Sequence, residues 1–481
     1  LATGIDLLDP DEHERLQLWE QLKTISETYR SQVETYPVRK LLSPADAARL
    51  LTEFNFEAPL APSDVLAFTS HALTDHSFHF AHPRCFSRFN PATTTLGAIA
   101  DALVAVFNPQ LASWRGGPFP IAVERHLIKA FGMKFGYPEG DIDGTFTSGG
   151  SEANHTGILA ALNDKFPEFS QSGLRSLPGS PVLFVSSEAH HSFRKAARAC
   201  GLGNSAVIEV PVDADLRMDL QSLRALVLQQ RKKGALPFLV VGTIGTTSAG
   251  VIDPLPELAT FAKEENLWFH VDGAWGGSAI LIPEMIAALS GVEHSDSLTL
   301  DAHKWLSVPM GAGLFLTRHK EILRRSFHVS ADYMPKCLED EGEVEHYTRS
   351  LQWSRRFVGL KVFMNLASVG WNGYAAALRH QVATANHMRE LLLQSDWKIE
   401  NKTVLPLVCF TNGLNGYPKN DDLAHFIDRV VEEGHAFLSV TAVRGHPAAR
   451  ACVTNYRTSE DNVREFVDVL NRHRKEGSKG I

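Results

Sequence analysis

Cysteine is scarce in this chain of 481 residues: five, at positions 85, 200, 337, 409 and 452, with no Cys-x-x-Cys pair. An odd, scattered set argues against a disulfide framework or a cysteine zinc site and fits a reducing compartment. No basic block is present and the formal net charge is −8, which argues against nucleic acid as the main partner. No apolar run reaches transmembrane length, so no membrane association is expected. Internal repeats and low-complexity linkers are also missing. The first residues, Leu-Ala-Thr-Gly-Ile-Asp, do not resemble a signal peptide and lack a starting methionine, as trimming would leave them; the expected location is cytoplasmic. Core material is plentiful: 44% of residues are hydrophobic and 21% charged. At this length that predicts more than one compact domain.

Asp9-Pro10 reads as a helix N-cap followed by proline at the first helical position. Leu16, Trp19, Leu22 and Ile25 then recur at helical spacing. Ser43-Pro44 opens a second helix in the same way. The middle of the chain alternates helical segments, such as Leu255–Glu264, with short apolar runs. Strands are expected at Val182–Ser186, Phe238–Thr243, Leu267–Asp272, Ser297–Asp301 and Gly313–Thr317. Without clean alternation they read as strands buried on both faces, giving an α/β fold with a mostly parallel sheet. From about residue 375 the pattern becomes helix, strand, helix, strand, helix. The expected division is a helical segment over 1–85, a large α/β domain over 86–375 and a small α+β domain over 376–481.

Reactive groups of open parallel sheets collect at the carboxyl ends of strands. Asp272 ends one expected strand in His270-Val271-Asp272-Gly273-Ala274. Lys304 follows another in Asp301-Ala302-His303-Lys304-Trp305. A lysine that forms a Schiff base and an aspartate that keeps the proton on a pyridine nitrogen are what pyridoxal phosphate (PLP) chemistry requires. Taken singly, the lysine reads as a solvated charge and the aspartate as a helix cap. Ser148-Gly149-Gly150-Ser151-Glu152-Ala153-Asn154 reads as a phosphate cradle, with glycines letting backbone amides approach an anion where a helix begins. His190, in Ala189-His190-His191-Ser192, suits an imidazole stacked on a planar cofactor, a structural histidine being the alternative; no metal set accompanies it. Gly245-Thr246-Thr247 closes a further strand and offers a hydroxyl.

In this order the motifs resemble the group II PLP-dependent amino-acid decarboxylases, densest from His82-Pro83-Arg84 to Arg355-Arg356-Phe357. The resemblance implies a fold-type-I, aspartate aminotransferase-like architecture with a seven-stranded sheet, and a homodimer with active sites at the subunit interface. It implies Lys304 as the Schiff-base lysine and Asp272 as partner of the pyridine nitrogen. It implies His190 and Ala274 on opposite faces of the ring, Gly150, Ser151 and His303 on the phosphate side, and Thr247 at the ring oxygen. Many members have asparagine where this chain has Asp301. An aspartate would repel a phosphate, so Asp301 is not expected as a direct ligand. Tyr333 aligns with a mobile-loop tyrosine that protonates the carbanion after carbon dioxide leaves; related aldehyde synthases carry phenylalanine there. By composition alone Tyr333 is an ordinary packing residue. The stretch Cys337–Tyr347 is acidic and polar, as an exposed flexible loop would be. Arg450 matches an arginine that binds the substrate α-carboxylate.

For the substrate the signals disagree. Arg88, Asn90, Gln110 and Ala112 stand where aromatic-type members are more apolar, and an arginine beside an amide suits a side-chain carboxylate. Asp-Ala-His-Lys-Trp-Leu at 301–306 instead resembles the aromatic branch. The expected reaction is decarboxylation of an L-amino acid to its amine, with an aromatic substrate preferred and an acidic one as the alternative. An aldehyde synthase and a non-catalytic dimer partner are the remaining readings.

Overall fold

The computed structural model describes residues 8–52, 54–329, 344–412 and 420–477. Seven strands form the large sheet: β1 Asp143–Thr147, β2 Pro181–Ser186, β3 Val207–Val210, β4 Leu236–Thr243, β5 Trp268–Asp272, β6 Ser297–Asp301 and β7 Gly313–Thr317. Their order is β1-β7-β6-β5-β4-β2-β3. β7 runs antiparallel to both its neighbours, while β6, β5, β4, β2 and β3 pair in parallel. All five expected strands are present within two residues. β1 and β3 are additional. β1 (Asp-Gly-Thr-Phe-Thr) has one large apolar side chain and β3 (Val-Ile-Glu-Val) is four residues long, so neither carries a strong apolar signal.

Alternate strand residues enter different cores. Val182, Phe184 and Val240 join one apolar cluster; Leu183, Val185, Leu239 and Val241 join another. The sheet is thus covered on both faces, which explains strand sequences without polar alternation. Each such Leu, Val or Phe contributes roughly 1.5–3 kcal/mol by burial. Helix Gly150–Lys165 packs across β4, β5, β6 and β7.

The C-terminal part holds β8 Trp397–Ile399, β9 Leu407–Asn412, β10 Ser439–Val443 and β11 His446–Cys452. They form an antiparallel sheet in the order β10-β11-β9-β8. The strands come in pairs between helices, where the sequence suggested single strands. Helix Gly359–Gln394 leads into this part and is interrupted at Gly370 (φ 63°).

Near the N-terminus, helix Glu12–Gln32 packs on helix Pro62–His76. Its cap is Asp11, not Asp9: the Asp11 carboxylate accepts from the Glu14 amide at 2.9 Å. A carboxylate three residues ahead reaches that free N–H, whereas Asp9 is two residues too early. Ser43 caps helix Pro44–Leu50 as expected. No described helix is long and apolar enough to cross a membrane.

Candidate active site

Because β2, β4, β5 and β6 are parallel, their carboxyl ends meet at one edge of the sheet. β1 shares their direction, since two antiparallel steps through β7 restore it. The segments leaving these ends carry Ser148–Asn154, His190, Thr247, Asp272 and Lys304. They line one cavity of about 460 Å³.

Lys304 follows β6 by three residues. Its Nζ lies 2.9 Å from Oδ2 of Asp301. Asp301 is buried, and its Oδ1 has no hydrogen-bond partner among the described residues. The second carboxylate, Asp272 at the end of β5, is held by others. Its Oδ2 accepts from Asn154 Nδ2 at 2.9 Å and its Oδ1 from the Ala274 amide at 3.1 Å. Asn154 belongs to a buried chain: its Nδ2 also donates to Ser192 Oγ at 2.9 Å, and its Oδ1 accepts from Thr299 Oγ1 at 2.7 Å. His270 Nε2 lies 3.1 Å from the same Oδ1. Burial pushes His270 down to about 4, so it is neutral there. Asn154 has a structural role the motif reading missed. Its position one turn into the helix after Gly150 is the available signal, because that puts it on the same face as Gly150.

Gly150 opens helix Gly150–Lys165. A Cβ there would stand 2.8 Å from Asp301 Oδ2 and 3.2 Å from the Ala274 Cβ, so only glycine leaves space for the carboxylate. The helix N-terminus presents free amides, an anion cradle. Glu152 folds back on it, accepting from the Ser148 amide at 2.8 Å and its hydroxyl at 2.7 Å. Ser151 lines the cavity beside Gly150. His303 Nδ1 accepts from the Ala312 amide at 3.1 Å, so Nε2 carries the proton and faces Asp301 Oδ2 at 3.8 Å. Burial lowers the pKa values of His303 and His190. His190 Nδ1 accepts from the Ser192 amide at 3.2 Å, which leaves its Nε2 as the donor.

Arg450 reaches in from β11. It shares a strand face with Ala448 and Cys452, which join the apolar cluster that covers one face of the large sheet. It donates to Ser439 Oγ at 3.1 Å, the Thr247 carbonyl at 2.5 Å and the Ser87 carbonyl at 2.9 Å. None of these partners is charged, and among the described residues Arg450 has no ion pair. Phe89 stacks on Trp275 with centroids 4.5 Å apart, making an apolar wall. Asn90 donates to the His303 carbonyl at 3.3 Å. Arg88 lines the cavity, is exposed, and has no ion pair among the described residues.

Two expectations are corrected. Gln110 does not line this cavity. Its Oε1 accepts from the backbone amides of Ala112 (3.2 Å) and Arg355 (2.8 Å), because the left-handed turn at Asn108 (φ 43°) redirects the chain. Residues 345–347, expected to be exposed, are buried: His346 Nδ1 accepts from Arg355 at 2.7 Å, and the Tyr347 amide donates to the Ala112 carbonyl at 3.1 Å. Tyr333 lies outside the described residues.

The residues fit PLP: an amine, a carboxylate fixed by a buried amide, an anion cradle that a Cβ would fill, and an imidazole beside them. The pyridoxal-dependent decarboxylase conserved domain matches residues 48–412. An aromatic-L-amino-acid decarboxylase of Bacillus atrophaeus is 28% identical over 94% of this chain and 94% of its own. An L-aspartate decarboxylase of Metarhizium robertsii is 32% identical over 67% of this chain and 65% of its own. A crystal structure of Oryza sativa TDC with PLP and tryptamine superposes with a TM-score of 0.87 at 24% identity, covering 98% of each chain; at that identity it speaks for the fold.

Proposed function

Since the chain belongs to the pyridoxal-dependent decarboxylase family and is a PLP-dependent carboxy-lyase, we propose that it converts an aromatic L-amino acid to its amine at the cavity holding Lys304. The observation that carries this reading is the meeting of Lys304, Asp272 and the Gly150 helix end in one cavity. The Phe89–Trp275 wall favours an aromatic side chain. A second reading, an acidic substrate, is favoured by Arg88, a cation in the same cavity with no ion pair among the described residues.

Bound PLP supplies an electron sink for the Cα–carboxylate bond. The roles assigned to this chain's residues follow from their chemistry. Lys304 Nζ would hold the cofactor. Asp272, fixed by Asn154, would hold a proton on the ring nitrogen. His190, its pKa lowered by burial, and Ala274 would flank the ring. Gly150, Ser151 and His303 would serve the phosphate side, and Thr247 the ring oxygen. Arg450 pairs the substrate carboxylate, and Asn90 lines the substrate side. Tyr333 returns a proton to Cα. The division at residues 85 and 375, a homodimer joined through the N-terminal segment, and a cytoplasmic location belong to the same reading. Incubating PLP-loaded protein with aromatic, acidic and basic L-amino acids, with products read by mass spectrometry, tests it. Aromatic amine is expected. Amine only from acidic substrates would select the second reading, and loaded protein inert to every class would sink both.

A further inference from the structure

We infer that His270 is a positioning residue for the cofactor's ring nitrogen: donating from Nε2, it fixes which way the Asn154 amide points and so keeps an N–H, not a carbonyl, on the Asp272 carboxylate. The inference rests on reading Asp272 as the partner of that nitrogen. Trp268, His270 and Asp272 alternate along β5, and Ser297 and Thr299 along β6, so each set lies on one face of its strand. The strands pair with His270 opposite Ser297 and Asp272 opposite Thr299. Helix Gly150–Lys165 packs across both and brings Asn154 to this polar row.

The direction of the chain follows from its far end. An indole N–H can only donate, and Trp268 Nε1 donates to Ser297 Oγ at 2.8 Å. Ser297 is buried, and its own hydrogen has His270 Nδ1 as acceptor at 2.8 Å. Nε2 then carries the ring's hydrogen and meets Asn154 Oδ1 at 3.1 Å. A doubly protonated ring would also donate from Nε2, so the result does not depend on the charge of His270. The opposite tautomer would strand the Ser297 hydrogen and set a ring lone pair against the amide oxygen. Thr299 and Ser192, the other neighbours of the amide, are hydroxyls, which donate or accept and so fit either orientation. His270 therefore holds Oδ1 to itself and leaves Nδ2 on Asp272 Oδ2 at 2.9 Å. An N–H given to a carboxylate favours its charged form. With the amide turned over, a carbonyl would face Oδ2, and Asp272 would have to take the proton of the ring nitrogen to meet it.

Two measurements on PLP-loaded protein test this. Neutron diffraction of the wild type is expected to show a hydrogen on His270 Nε2; a bare Nε2 overturns the inference without reference to any variant. Nitrogen NMR with PLP labelled at the ring nitrogen reads the consequence, with free labelled PLP in acid and in base as references. The wild type is expected at the protonated position. His270→Leu, which removes the donor, is expected to move the resonance toward the unprotonated position. His270→Gln, whose amide can donate from the place of Nε2, is expected to restore it. A resonance that His270→Leu leaves unmoved, or that His270→Gln fails to restore, overturns the inference and leaves the cofactor reading intact. An unprotonated ring in the wild type overturns the role of Asp272 as well, and wild-type protein that takes up no PLP overturns the cofactor reading with it. If His270→Leu does not fold, the hydrogen position in the wild type decides.

Discussion

At the scale of single residues, two carboxylates in one cavity do different work because their surroundings differ. Asp272 is tied down by Asn154 and Ala274, while Asp301 has one oxygen on Lys304 and one with no partner. Removing the amide that fixes Asp272 should therefore be felt at the cofactor. A hydrogen bond to a charged group is worth about 1.5–3 kcal/mol, so Asn154→Ala should weaken PLP binding by about ten- to a hundredfold in a fluorescence titration. Wild-type affinity would remove Asn154 from its positioning role. His270 has a folded pKa near 4 against its ordinary 6.5. The unfolded chain therefore binds more protons between those values, and stability falls as pH drops from 6.5 toward 4. In urea melts across that window, His270→Asn should show a flatter dependence than wild type. Tyr333→Phe should shift the product from amine toward aldehyde; an unchanged amine yield by mass spectrometry would refute the proton-return role.

At the scale of elements, the parallel sheet brings several strand ends to one edge, and the helix beginning at Gly150 supplies the anion cradle. That helix start depends on a missing side chain. A Cβ at Gly150 would be 2.8 Å from Asp301 Oδ2, closer than packed atoms tolerate, so either the carboxylate or the helix end must move. Gly150→Ala should fold, because the change lies at a helix terminus, yet lose at least about tenfold in PLP affinity. Equal affinity for PLP would show that the cradle lies elsewhere.

At the scale of the whole molecule, distant segments are locked by a buried ion pair. Arg355 donates to Glu124 at 2.9 Å, to the Phe146 carbonyl at 2.9 Å and to Thr145 at 2.9 Å, joining the helix Pro118–Lys134 to β1. The N-terminal helix shows the opposite condition. Leu16, Trp19 and Leu22 are 60%, 50% and 39% exposed, an apolar stripe that a second copy of this chain would cover in the proposed homodimer. Trp19→Asp should then shift the sedimentation profile toward monomer and reduce activity with it, because the active sites are read as lying at the interface. A dimer of unchanged stability would place the interface elsewhere.

What the sequence alone determined is local. Lys304 and Asp272 each sit at the end of a short apolar run, and strand ends are where parallel sheets expose side chains; the cradle sits where glycines meet a helix start. Strands buried on both faces were legible because burial leaves an apolar run, whereas β1 has one large apolar side chain and β3 is only four residues long. The tertiary structure alone decided the pairings. Asn154 meets Asp272 across 118 residues, and no local pattern encodes a contact at that separation. Gln110 and Arg88 look equivalent as polar exceptions in sequence. Only the turn at Asn108 sends one to cap backbone amides and leaves the other in the cavity. The unpartnered oxygen of Asp301 is likewise a fact of packing, since a side chain's partners depend on everything that folds against it.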